Sequence, residues 1–97
     1  MKRIMISQPM KGKANEQIRN EREELVNRLS ENYEVVDSIV ADEAPATSKA
    51  AIYYLSKSIE IMSTVDTVYF MKGWENARGC KIEHEIAEKY ELEIIEE

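Results

Sequence analysis

Short β-type runs alternate strictly with helix-favouring stretches along this chain, and that order leaves few folds open. Arg3–Ser7 (RIMIS), Glu34–Ser38 (EVVDS), Asp66–Met71 (DTVYFM) and Glu91–Ile95 (ELEII) read as strands. Helical stretches lie between them over Asn15–Ser30, about Ser48–Ser63 and Ala77–Tyr90, with Asn15 as a candidate cap. Strands joined by crossover helices imply a parallel sheet with right-handed connections. The expected fold is α/β, a flavodoxin-like three-layer sandwich with a four-stranded parallel sheet in the order 2-1-3-4. The 97 residues make one domain, residues 1–97, near the lower limit for a self-sufficient core. A homo-oligomer is therefore expected, because association buries further apolar surface.

A parallel sheet places the carboxyl ends of all its strands along one edge, and open α/β sheets bind ligands there, at the switch in strand order. Here that edge carries Ser7–Lys13, the loop after Ser38, and Lys72–Cys80. The switch point brings the Ser7–Met10 loop against the Gly73–Gly79 loop.

Glu83 lies just beneath that junction. At 100° per residue, Gly79, Cys80, Ile86, Ala87 and Tyr90 surround it on the helical wheel, while Lys81, Glu85 and Glu88 fall opposite. A carboxylate inside an apolar stripe is costly unless something pairs with it or needs it. It is either an active-site acid, or a structural one bonded to backbone or paired with Arg78. Ser58 interrupts the apolar stripe of the preceding helix (Ala51, Tyr54, Leu55, Ile61, Met62, Val65) in the same way. It either bonds back to a carbonyl one turn earlier or belongs to the site.

Trp74 and Tyr69 fall near the same edge and suit stacking on a planar ligand; equally, Trp74 can cover a loop or an interface. Arg78, Lys72, Lys11 and Lys13 are candidate phosphate ligands, helped by free N–H groups at the helix start. Cys80, in the first turn, could have its pKa lowered by the helix dipole and Arg78, and it is spaced i, i+4 from His84. Such a dyad has no evident oxyanion site. Glu83 and Glu85 point to different sides of a helix, so no two-carboxylate metal site forms.

Other classes are excluded more firmly. Lys11-Gly12-Lys13 does not fit GxxxxGK[ST], and three glycines cannot supply GxGxxG. No metal and no cofactor is called for. A net charge of −6 opposes a nucleic-acid-binding face. No apolar run approaches the ~20 residues that span a bilayer, and MKRIMISQPM lacks the features of a signal peptide. The single cysteine excludes an internal disulfide, and a cytoplasmic location is expected.

Over nearly its whole length the chain resembles the nucleoside 2-deoxyribosyltransferase-like superfamily, in particular a small branch often encoded by phages and prophages. The resemblance is carried by Ile4–Met10 (IMISQPM) and Asp66–Ala87 (DTVYFMKGWENARGCKIEHEIA). Glu83 falls on the family's nucleophilic glutamate, Gly79 on the glycine four residues before it, and Ala87 on the small residue after it. The resemblance implies a flavodoxin-like fold, homo-oligomers, and cleavage or exchange of N-glycosidic bonds in nucleosides or nucleotides. Glu83 would then be catalytic, with Ser7, Gln8, Pro9, Met10, Ser58, Gly73, Trp74, Arg78 and Gly79 around the substrate. The chain departs from the family at four places. Met5 stands where a tyrosine orients the glutamate, Ala77 where an aspartate handles the leaving base, and Ser58 near another substrate-contacting aspartate. Ser7-Gln8 replaces Ala-Gly in the first loop. The alternative is a non-catalytic nucleotide-binding or sensing domain.

Overall fold

Four parallel strands form the centre of the molecule. The computed structural model describes residues 1–37 and 43–97. The elements run β1 (Lys2–Ser7), α1 (Asn15–Leu29), β2 (Tyr33–Val36), α2 (Ala50–Met62), β3 (Thr67–Phe70), a 3₁₀ turn (Trp74–Asn76), α3 (Arg78–Lys89) and β4 (Glu93–Glu96). The sheet order is β2-β1-β3-β4 and every pairing is parallel, as the alternation predicts.

The central strands carry the most apolar runs because both of their faces are covered. All four residues of β3 are buried, as are the last four of β1, whereas β2 and β4 at the edges are only partly covered. The two-residue period of β1 then sorts its side chains. Ile4 and Ile6 pack with Leu25, Tyr69 and Met71 on the α1 side. Met5 packs with Met62, Val68, Phe70 and Ala87 on the side of α2 and α3. The molecule thus has three layers, with a core on each side of the sheet. Phe70 is fully buried, and truncating it to alanine would cost about 3–5 kcal/mol.

Several expected boundaries shift. Asn15 is the first residue of α1 rather than its cap; Ala14 holds that position without a side-chain bond. The start of α2 lies at Ala50, after Ser48 has closed a turn on the Pro45 carbonyl oxygen at 2.9 Å. The second strand starts at Tyr33 and ends at Val36, and its expected last residue, Ser38, lies outside the described residues, as do residues 39–42 of the following connection. Tyr90, expected beside Glu83, is largely exposed because the chain leaves α3 there.

Candidate active site

The carboxyl edge of the sheet opens into a cleft of about 810 Å³, a size suited to a small organic ligand. Its walls come from three places. Gln8, Pro9, Met10 and Lys11 follow β1; Ala51, Tyr54, Leu55 and Ser58 come from α2; Asn76, Ala77, Arg78, Gly79, Cys80 and Glu83 form the start of α3 and the residues before it. Gly73 adopts φ 93°, a left-handed conformation that favours glycine, so the chain turns there toward Pro9. A Cβ on Gly73 would lie 3.8 Å from Pro9 Cγ. The two loops at the switch point therefore meet.

Glu83 faces this cleft from α3, and only 7% of its surface is exposed. The buried residues of α3 are Cys80, Glu83 and Ala87, a spacing that turns one helix face to the sheet with the carboxylate in its middle. Ser7 Oγ donates to Glu83 Oε1 at 2.8 Å. Burial pushes the Glu83 carboxyl above the usual carboxylate range, while the Ser7 hydroxyl and, more weakly, that of Ser58 favour its charged form. No ion pair joins Glu83 to Arg78 among the described residues, so pairing across the helix start does not account for the buried acid. Among the described residues lining the cleft, Glu83 is the sole carboxylate, and Lys11 and Arg78 are the cations.

The start of α3 opens into the cleft uncapped. Its N-cap, Ala77, makes no side-chain bond, and Lys81 is the first residue whose N–H reaches back, to the Ala77 carbonyl oxygen at 2.9 Å. Gly79 needs no unusual backbone conformation, and a Cβ there would meet nothing within 4 Å. Glycine is a poor helix former, so helix propensity does not account for it here. Gln8 is held from behind: its Nε2 donates to the Ile18 carbonyl oxygen at 2.9 Å, and its buried Oε1 has no partner among the described residues.

Of the residues expected around a substrate, Gln8, Pro9, Met10, Ser58, Arg78 and Gly79 line the cleft with Glu83. Ser7 lies behind the lining, 2% exposed, and reaches the cleft only through Glu83. Gly73 and Trp74 are not in the lining. The Trp74 indole instead stacks on His84, with ring centres 4.0 Å apart and planes 8° from parallel, and packs against Phe70. Tyr69 points into the α1-side core and donates its hydroxyl to Glu97 Oε1 at 3.1 Å. Neither ring faces the cleft. Tyr54 does, and its hydroxyl accepts the Ala44 N–H at 3.1 Å. The polar Ser58 in that helix's apolar stripe was the signal for it: this face of α2 borders the cleft as well as the core.

Two further expectations are corrected. Cys80 is not activated, since burial pushes its thiol upward more than the Ser7 hydroxyl pulls it down, and the neighbouring Glu83 adds a smaller upward push. His84 Nε2 lies 2.8 Å from Glu96 Oε2 and its Nδ1 lies 3.4 Å from Glu88 Oε1, so both ring nitrogens are engaged away from Cys80. Lys13 pairs with Glu21 at 3.0 Å, and neither it nor Lys72 lines the cleft. Met5 sits fully buried in the core, and the hydroxyl that reaches Glu83 is Ser7's, one side-chain repeat further along the same face of β1.

No group of three or more metal-ligating side chains clusters among the described residues, and no helix among them is long and apolar enough to cross a membrane. Residues 2–96 match a family profile described as "Domain of unknown function (DUF4406)". No curated protein and no solved structure matches the chain.

Proposed function

We propose that this chain, which belongs to the DUF4406 family of domains, acts on the N-glycosidic bond of a nucleoside or nucleotide through Glu83. The observation that carries the reading is a carboxyl group 7% exposed, bonded to Ser7 at 2.8 Å, and facing a cleft at the switch point of the sheet. A buried acid of this kind is a functional-site candidate on physical grounds. The resemblance to the nucleoside 2-deoxyribosyltransferase-like superfamily supplies the chemistry.

In this mechanism a Glu83 oxygen attacks the anomeric carbon of the sugar. The C–N bond breaks as the C–O bond forms, and the base leaves with the bonding electron pair and takes up a proton. A second base or a water molecule then displaces Glu83 and regenerates the carboxylate. The apolar surroundings strip the carboxylate of solvent and strengthen it as a nucleophile. Arg78, Lys11 and the open N-terminus of α3 suit a 5′-phosphate. Tyr54, which lines the cleft, would lie against the base in place of Trp74. We place the protein in the cytoplasm as a homo-oligomer, with no nucleic-acid polymer as partner. Its second helix leaves Ile52 and Ile59 substantially exposed, apolar surface that a second copy would cover.

A second reading rests on one observation. Ala77 and Ser58 line the cleft where the resemblance implies aspartates, so among the described residues no second carboxylate lines it to protonate a leaving base. This favours a domain that binds nucleotides without cleaving them.

Release of free base from a panel of nucleosides and their 5′-monophosphates separates the readings. The parent protein and Glu83→Ala are compared by chromatography, with and without an acceptor base. Release that vanishes in the variant supports the enzyme, and dependence on the acceptor separates transfer from hydrolysis. Ligand-induced thermal shifts with no release across the panel would favour the binding domain.

A further inference from the structure

We infer that Ser7 is the positioning residue for Glu83, holding Oε1 so that Oε2 is the oxygen offered to the cleft; this rests on the reading of Glu83 as the reacting acid. Ser7 is mounted on the most rigid part of the fold. It is the last paired residue of β1, in register with Phe70, and its carbonyl oxygen accepts the Met71 N–H at 3.0 Å. Its own surface is 2% exposed, so the hydroxyl is screened from competing water. A serine hydroxyl has one proton to give, and here it goes to Oε1 at 2.8 Å.

The need for such a bond follows from the side chain it holds. Glutamate turns about several bonds, and the neighbours of Glu83 on the same face of α3, Cys80 and Ala87, are small. A carboxylate free to rotate would present either oxygen at a range of angles, and small errors of alignment are expensive in rate. The Ser7 donor, fixed to a central strand, restricts that freedom, and the Ser58 hydroxyl of α2 acts more weakly on the same carboxylate. It also supports the ionised carboxylate, the form that attacks, against a burial that opposes it. Ser7 itself lies outside the cleft lining, so it acts through Glu83 rather than on the ligand.

The test is to follow the Glu83 carboxyl carbon by ¹³C NMR across pH in the parent, Ser7→Ala and Ser7→Thr, with Glu83→Gln assigning the signal. Base release is measured on the same samples. The expected result is an upward displacement of the Glu83 titration midpoint in Ser7→Ala that Ser7→Thr restores. The expected kinetic result is a loss of about tenfold to a hundredfold in kcat with KM little changed. A Glu83 midpoint identical in parent and Ser7→Ala would overturn the assignment even if base were released. A displaced midpoint without base release from any substrate would uphold the Ser7–Glu83 coupling and count against the glycosidic reading alone.

Discussion

The Trp74 indole lies flat on the His84 imidazole, 4.0 Å between centres and 8° from parallel, so the only tryptophan of the chain serves the fold. The stack joins the turn after β3 to the middle of α3, and Phe70 packs against both rings, with centres 5.5 Å and 4.8 Å away. It therefore fixes the segment that leads into Asn76, Ala77 and Arg78 at the cleft. Replacing His84 with alanine should cost about 1–2 kcal/mol, from lost stacking and packing. Trp74 emission should shift to the red as the indole becomes wetter. An unchanged emission spectrum in His84→Ala would rule out the stack in solution.

Gly79 should show stability and function moving in opposite directions. An added methyl group meets nothing in the free protein, and alanine is the better helix former, so Gly79→Ala should stabilise by about 0.5–1 kcal/mol. The same methyl group would occupy space beside the first-turn N–H groups and weaken nucleotide binding by about tenfold or more. Urea unfolding and calorimetric titration with a nucleoside monophosphate measure the two effects. Equal or tighter binding by the variant would remove Gly79 from the ligand site.

Glu83 makes stability depend on pH with a definite sign. Burial raises its carboxyl above the ordinary value of 4.5, so the folded chain holds this proton more tightly than the unfolded chain does. That contribution is fully present below the unfolded value and is lost as pH rises through the folded one. Glu83→Gln lacks the titration. The parent should therefore lose stability relative to the variant as pH rises through this window. Urea unfolding of the pair across that range provides the test, and a difference that grows in the parent's favour with pH would contradict the burial seen here.

Arg78 should report on charge at the ligand. It lines the cleft at the uncapped start of α3 and takes no part in the ion pairs found among the described residues. Arg78→Ala should weaken a 5′-monophosphate by roughly tenfold, about 1.4 kcal/mol, and leave the matching nucleoside nearly unaffected. Loss of affinity for both ligands equally would assign Arg78 to the base or sugar instead of the phosphate.

The exposed face of α2 should govern assembly. Ile52 is 62% exposed and Ile59 36%, in a helix whose only buried residue is Met62. Ile52→Glu with Ile59→Glu should reduce the mass measured by light scattering to that of a single chain, 11.2 kDa. A parent protein already monomeric at high concentration would show that a second copy does not cover this face.

The alternation of β-type and helical stretches was enough to indicate the layers and the parallel pairing, because crossover connections are right-handed, and the expected strand order is the one the sheet adopts. The same reading pointed to the edge where the cleft opens and singled out Glu83, since a charge in an apolar helical stripe stands out in one dimension. Only the tertiary structure decided what each neighbour does. Trp74 and Gly79 lie five residues apart, yet the first is taken up by a histidine ring while the second opens onto the cleft. Ser7 and Glu83 are 76 residues apart and meet at 2.8 Å. Periodicity fixes which face of an element a residue occupies. The partner across that face depends on how two elements pack, and no local pattern in the chain records it.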